Sequence, residues 1–461
     1  MSDTALEIAA KVASGRLSAE TAVRDALSVI AARNPALNAF TDVTAERAVA
    51  RAKAIDAELA KGVKHGPLAG VPFAVKNLFD IKGLPTRSGS KINRELPPAP
   101  QDATLVERLE AAGAILVGGL NMGEYAYDFT GENAHDGNCL NPHDPSRMTG
   151  GSSSGSGSAV GAGMVPLALG SDTNGSIRVP ASFCGIFGLK PTYGRLSRAR
   201  SYPFVGSLDH LGPFARSVAD LAVAYDVMQG PDSADPHLAK RPVEPVSHRI
   251  GEGIAGLRIA RLGGYFAKNG HAEAFAAVDV VARALDVKAE IELPEVARAR
   301  AAGFVITAAE GAALHANRLR TRAQDFDPDT RDRFLANLTI PALWVIQSQK
   351  LRSWFRARVA EIFRDVDILL APATPCVAPK SGTKILTLDG VDLPLRANIG
   401  VFTQPISFIG LPVVAAPIWV PDTHLPLGVQ IIAAPWAEHK ALQVAAHLER
   451  EGIARAPVAR G

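Results

Sequence analysis

Cysteine is scarce in this chain. Cys139, Cys184 and Cys376 are the only three, and they are far apart. An odd, scattered set makes neither a disulfide framework nor a zinc-ligand spacing. No charge of one sign dominates either. The 49 basic and 46 acidic residues leave a net charge of +3. That balance argues against a nucleic-acid surface and against a polybasic membrane face. Long apolar runs are missing as well, since no stretch approaches the roughly 18 residues of a membrane helix. The first residues, MSDTALEIAAKVASG, lack the basic-then-apolar pattern of a secretion signal. The expectation is a cytoplasmic protein with no membrane and no nucleic acid among its partners.

What is present is a globular composition. The 461 residues are 47% hydrophobic and 21% charged, enough for a large core. Length alone suggests roughly three domains, but no break in composition divides the chain and no internal repeat is visible. The reading is a single domain over 1–461. It has an N-terminal helical segment at 1–62, a core at 70–215, and further sheet and helices at 257–461.

The most informative stretch is Gly150 to Pro180, GGSSSGSGSAVGAGMVPLALGSDTNGSIRVP. Glycine-serine runs are usually linkers. This one passes directly into an apolar segment, and its second loop carries the turn formers Asp172, Thr173 and Asn174. It reads instead as two serine-bearing glycine turns joined by a helix start and a strand, bringing the hydroxyls of Ser152 and Ser176 to one site. Glycine lets backbone approach a reacting atom closely there. Ser153 also centres a G-x-S-x-G sequence, the nucleophile elbow. That motif needs a strand before it, and Asn141 to Arg147 is loop chemistry.

GGSSSGS followed by LGSDTNGSIRVPASFCGIFGLKPTYGR resembles the amidase signature of the Ser–cis-Ser–Lys hydrolases. A lysine is then expected upstream, and the apolar run GVPFAVKN carries Lys76. Alone, Lys76 is an ordinary lysine at a strand end. Beside two serine loops it becomes the third member of a set. DILLAPATP and PLGVQIIAAPWAE extend the resemblance over nearly the whole chain. It implies an α/β fold with a large central mixed β-sheet covered by helices on both faces.

Periodicity gives the same class. Residues 3–60 read as helices, with Asn34-Pro35 as a break. Helices are expected at Thr104–Ala112, Val218–Met228, Ala272–Ala284 and Glu438–Glu451, and over most of 303–364. Strands are expected around Lys76, at 114–119, 257–260, 367–372 and 427–432. Segments 187–192 and 208–213 read as loops. Tyr125, Tyr127 and Phe129 suit a core or a pocket wall.

Carried over residue by residue, the resemblance implies Ser176 as nucleophile, Ser152 as a bridging serine on a cis peptide, and Lys76 as base. A serine hydroxyl needs a positioned base to attack a carbonyl. Lysine serves only when neutral, and burial favours that form. Backbone N–H groups of Thr173, Asn174, Gly175 and Ser176 are the implied oxyanion hole. No metal or cofactor is required. Two departures stand out. Many members have G-G-S where this chain has Asn174-Gly175-Ser176. The segment Asp136 to Leu140 replaces residues that border the substrate in relatives.

VKNLFDI, GSKINRELPPA and SYPFVGSLDHLGP add a likeness to the branch of the family that cleaves carboxybiuret in s-triazine (cyanuric acid) breakdown. The implied substrate is a small anionic ureide that releases ammonia. Such a ligand needs a cation and amide-type donors, for which Tyr125, His315, Arg320, Arg322 and Gln404 are candidates. Taken singly, each of these also suits a core hydrogen bond or a solvated helix face. The same likeness implies a small helical partner subunit similar to the C subunit of tRNA-dependent amidotransferases, hence a homo- or hetero-oligomer. The alternatives are a general amidase and the glutaminase (A) subunit of a tRNA-dependent amidotransferase. A catalytically dead scaffold is opposed by the intact Lys76, Ser152 and Ser176.

Overall fold

Short runs of Val, Ile, Leu and Ala form strands throughout the computed structural model, which describes residues 1–421 and 423–460. They are β1 (Phe40–Val43), β2 (Pro72–Lys76), β3 (Ile115–Leu120), β4 (Leu167–Asp172), β5 (Phe187–Lys190), β6 (His210–Ala215), β7 (Ile259–Leu262), β8 (Ala289–Ile291), β9 (Ile368–Pro372), β10 (Ile385–Leu388), β11 (Val391–Pro394), β12 (Val413–Trp419) and β13 (Pro426–Ala433). Eleven of them make one sheet in the order β1-β3-β2-β4-β6-β5-β12-β13-β9-β7-β8, and β10 and β11 form a separate hairpin. The sheet is mixed. β2 runs parallel to β3 and β4, and β7 parallel to β8 and β9. The other pairings are antiparallel.

Every residue of β2, β3, β4, β6, β9 and β13 is buried. Successive strand residues face opposite sides, so both faces of the sheet are covered, as expected of an α/β fold. The three cysteines are buried and free. No helix among the described residues is long and apolar enough to cross a membrane.

The glycine-serine run becomes the helix Ser154–Gly161, buried at every residue. Its composition is poor for a helix, but packing decides. A Cβ on Gly155 would sit 2.4 Å from the Ala39 carbonyl oxygen and 2.5 Å from the Asn121 nitrogen. Only glycine lets this helix lie so close to the neighbouring chain, and so places Ser152 and Ser153 at its start.

Several expectations are corrected. The helix Ala19–Leu37 runs through Pro35. It ends two residues later, where Asn38 adopts φ +50° and the Asn34 side chain bonds the backbone of Phe40 in both directions. Residues 187–190 and 210–215 are the strands β5 and β6, not loops. Their glycines and prolines hid them, since Gly188, Gly212 and Pro213 break the usual strand pattern. β1, β8 and the β10–β11 hairpin were too short or too polar to show.

Candidate active site

Lys76 ends β2, between β3 and β4 and fully buried. Its Nζ donates to Ser152 Oγ at 2.7 Å, Ser171 Oγ at 2.9 Å and Ser153 Oγ at 3.1 Å. The Gly151–Ser152 peptide is cis. Ser153 Oγ also donates to the Ser171 carbonyl, so it can only accept from the lysine. Burial pushes the Lys76 pKa down to about 7, against the opposing pull of Asp209, Asp128 and Asp172. A neutral amine has one lone pair. With Ser153 accepting, that lone pair is free to take the proton of a hydroxyl such as Ser152.

Ser176 lies on the loop between β4 and the helix Arg178–Cys184. The loop is clamped by a buried ion pair. Arg178 donates through Nη2 to Asp172 Oδ1 at 2.9 Å and through Nε to Asp172 Oδ2 at 3.0 Å. Its remaining donors reach Gln430 Oε1, the Thr403 carbonyl and Ser407 Oγ. Burial raises the Asp172 pKa, but Arg178, Lys190 and His210 outweigh it and hold the carboxyl well below the usual carboxylate range. Thr173 Oγ1 donates to Asp209 at 2.6 Å, and Thr403 Oγ1 donates to the Asn174 carbonyl at 2.7 Å. The N–H groups of Asn174, Gly175 and Ser176 donate to no backbone carbonyl among the described residues, which leaves them available to a developing oxyanion.

Gly175 has φ +145°, and an added Cβ would lie 2.2 Å from Thr403 Oγ1. Gly175→Ala is therefore expected to displace the loop and cut activity about 10²–10³-fold, the cost of losing one oxyanion donor. Steady-state ammonia release from the folded variant measures this. Unchanged kcat would mean that this loop does not hold the reacting carbonyl.

A narrow cavity opens over Ser176. Its walls include Tyr127, Phe129, Thr173, Asn174, Phe204, Thr307, Arg333, Arg396 and Gln404. The Asn174 Nδ2 donates to Thr307 Oγ1 at 3.0 Å. Two arginines reach this wall with different prospects. Arg396 is neutralised by Asp128, Glu132 and Asp329. Arg333 stacks 3.4 Å over the Tyr127 ring and donates to the Tyr127 carbonyl. It pairs with no carboxylate among the described residues.

Of the five binding candidates read from the sequence, Gln404 lines the cavity, although its Oε1 accepts from Arg300 at 2.7 Å. The other four stand elsewhere. Tyr125 packs 4.0 Å from His315 within an aromatic cluster with Tyr202, Phe326 and Phe334, and its hydroxyl meets Ser90 and Arg318. His315 is buried there, its pKa lowered to about 3 by desolvation and by Arg318. Arg320 is exposed and donates to Asn317. Arg322 is held by Glu95 and Asp325. Both sit on the last turn of the helix Val296–Arg322, and neither lines the cavity. The wall arginine without an acidic partner, Arg333, comes from the next helix, Pro328–Asn337. The altered segment at Asp136 to Leu140 contributes no wall residue either. Asp136 is tied to Arg87 and Arg94.

The amidase family pattern matches residues 21–442. The chain belongs to the amidase family. It is 54% identical to AtzE of Pseudomonas sp. (strain ADP), a subunit of 1-carboxybiuret hydrolase, in a match covering 98% of this chain and 99% of that protein. It is 38% identical to the A subunit of glutamyl-tRNA(Gln) amidotransferase from Anaeromyxobacter sp. (strain K), over 96% of this chain and 95% of the relative. A solved structure described as a vestigial protein complex of an s-triazine catabolic enzyme superposes with TM-score 0.97 at 54% identity, covering 98% of this chain and 99% of the other. This amidase is a hydrolase of amide C–N bonds, and the amidotransferase relationship is the more distant of the two.

Proposed function

We propose that this amidase hydrolyses a terminal amide of a small anionic ureide, 1-carboxybiuret, with Ser176 as nucleophile, Ser152 as proton relay and Lys76 as base. The observation that carries the reading is the buried Lys76 Nζ held 2.7 Å from Ser152 Oγ, together with a cavity walled by Ser176. Ser176 Oγ attacks the carbonyl carbon while its proton passes to Ser152, and the proton of Ser152 passes to Lys76. The oxyanion is received by the N–H groups of the Asn174–Ser176 loop. The C–N bond breaks, the relayed proton returns to the leaving nitrogen, and ammonia departs. Water then attacks the acyl-enzyme, deprotonated along the same relay, and Ser176 regains its proton. The 54% identity to the carboxybiuret hydrolase protein supports the substrate, and the protein complex described for the solved relative supports a second subunit for this chain, which the family resemblance implies is small and helical.

The test is ammonia release by the purified protein from 1-carboxybiuret, biuret, glutamine and an aryl amide. Release confined to carboxybiuret is expected. Release from glutamine or the aryl amide, with none from carboxybiuret, overturns the substrate assignment.

Arg333 is the residue we place on the substrate carboxylate, because it is the wall arginine with no acidic partner. Arg333→Ala is expected to raise KM for carboxybiuret about 10–100-fold with kcat changed far less, the loss of one charge-assisted contact. Any turnover of neutral biuret is expected to be insensitive. A fall in kcat alone would remove Arg333 from substrate binding.

A further inference from the structure

Among the described residues, the cavity wall over Ser176 carries no free carboxylate. Asp128 is the one carboxylate on it. Its oxygens are already taken by Arg396, by Thr130 and by the Gly131 N–H. The Thr173 hydroxyl is spent on Asp209, and Asn174 and Thr307 are bonded to each other. Two groups that can still donate stand on the wall. Arg333 is one. The other is the side-chain amide of Gln404, which can be set either way round.

Gln404 opens the helix Gln404–Phe408. It is buried, and its Oε1 accepts from Arg300 Nε at 2.7 Å. Which end of a glutamine amide is oxygen is ordinarily a choice between two flips. Here Arg300 makes the choice, because a guanidinium has donors and no acceptor. The oxygen must face it, and the NH₂ must face away. Nε2 is without a partner among the described residues, yet it is not sealed from solvent. The opening that Gln404 borders is the cavity, so Nε2 offers its protons there.

Arg300 is itself held in place. Its Nη2 donates to the Ala397 carbonyl and to Asn398 Oδ1, both at 2.9 Å. Its guanidinium lies 5.2 Å from the centre of the Phe304 ring. All three of its acceptors are amide oxygens, so no carboxylate draws it elsewhere. Arg300, Phe304 and Thr307 stand at i, i+4 and i+7 of the helix Val296–Arg322, hence on one face. Phe304 and Thr307 line the cavity. Arg300, one turn earlier, does not, and it reaches the cavity through Gln404.

Carboxybiuret offers three carbon centres that carry acceptor oxygens. The terminal amide carbonyl, where the bond breaks, belongs to the Asn174–Ser176 loop. The carboxylate at the other end belongs to Arg333. The inner carbonyl is left, and Gln404 is the wall donor left. We propose that Arg300 is a positioning residue for substrate selection, fixing the Gln404 amide so that its N–H groups donate to the inner carbonyl oxygen of the ureide. The proposal rests on the substrate reading above and deepens it. A substrate with methylenes in that place leaves these N–H groups unpaired, and a buried donor without a partner is costly. An ammonium group finds no free carboxylate on the wall. The pair therefore selects ureides over amino-acid amides such as glutamine.

The test measures kcat and KM for carboxybiuret by ammonia release from the full chain and its variants, with thermal melts to check folding. Gln404→Met removes the donor and is expected to raise KM about tenfold, with kcat changed less than about threefold. Gln404→Glu keeps an oxygen toward Arg300, now in an ion pair, so the tie between the two survives. It is expected to raise KM at least as much without lowering the melting temperature, whereas a purely structural tie would leave KM unmoved. Arg300→Met frees the amide to turn and is expected to raise KM about fivefold. Arg300→Lys, whose ammonium also only donates, is expected to recover most of the parental KM. In the Gln404→Met background, Arg300→Met is expected to add less than about twofold, because the residue it acts through is gone. Arg333→Ala and Gln404→Met are expected to multiply, because each removes the contact to a different oxygen. The proposal is overturned by a KM within about twofold of parental in Gln404→Met or Gln404→Glu. It is also overturned by an undiminished effect of Arg300→Met in the Gln404→Met background, by no recovery in Arg300→Lys, or by a joint Arg333–Gln404 effect no larger than the greater single one. A parent that releases no ammonia from carboxybiuret overturns the substrate reading itself and this contact with it. Parental turnover with these variants unmoved overturns the Arg300–Gln404 proposal alone.

Discussion

Ser176→Ala is expected to abolish ammonia release, by about 10⁴–10⁶-fold, while leaving fold and substrate affinity intact. The magnitude is that of deleting a nucleophile whose partners act as one unit. The intact fold follows from the surroundings of Ser176. It is 3% exposed and borders the cavity, and its loop is held by Arg178, Asp172 and Thr403 rather than by its own hydroxyl. Removing one oxygen therefore leaves no buried partner unpaired, and the usual cost of a broken buried hydrogen bond does not arise. Ser153→Ala offers the contrast. Ser153 Oγ accepts from Lys76 and from the Ser171 N–H, and donates to the Ser171 carbonyl, so that change disturbs packing as well as chemistry. Ammonia release, a thermal melt and a substrate titration separate the two cases. If Ser176→Ala keeps more than about one-hundredth of parental kcat, where a lost nucleophile leaves far less, the nucleophile lies elsewhere.

Much of this was legible because two kinds of residue leave different marks on a sequence. The apolar strands around Lys76 and at 114–119 announce themselves by continuous burial, and Ser152 and Ser176 by glycine turns that only a close approach explains. Gly155 shows the limit of that language. In composition it is linker, yet in the fold it is a buried helix residue, because the deciding fact is the Ala39 carbonyl oxygen, 2.4 Å from where a Cβ would stand. Arg333 shows a second limit. Helical periodicity places Arg320 and Arg322 beside it in type and near it in sequence, and nothing local says which guanidinium is neutralised. Arg322 meets Glu95, more than 200 residues away, whereas Arg333 meets the ring of Tyr127. Ser171 was hidden differently. It is a single hydroxyl inside LALGSD, and its meaning comes from standing beside Lys76 across two parallel strands. A charged or polar residue's partner is long-range information, and one sequence does not contain it.

Lys76→Met is the second large effect, and its sign depends on pH in a way that separates base from structural residue. With the Lys76 pKa near 7, the neutral base is the minor form below that pH. For the parent enzyme, kcat/KM is expected to fall about tenfold per pH unit below about 7 and to level off above it. The methionine variant is expected to lose about 10³-fold or more at every pH, without that limb. Stability moves in the other direction. Between about pH 7 and 10.5 the unfolded chain holds a proton on this lysine that the folded chain does not. Parent stability therefore rises with pH through that window. Below it, the full cost of keeping a buried cation is carried, on the order of 5 kcal/mol for a shift of this size. Methionine removes that cost but also gives up the three hydrogen bonds to Ser152, Ser153 and Ser171, about 1 kcal/mol each. The variant is thus expected to be the more stable protein at about pH 6 and the less stable at about pH 9.5. Lys190, whose pKa burial also lowers to about 7, is present in both proteins and cancels in the comparison. Denaturant melts at the two pH values read the crossing. Parallel curves, with one protein more stable throughout, would mean that Lys76 does not change its protonation on folding, and the neutral-base step would go with it.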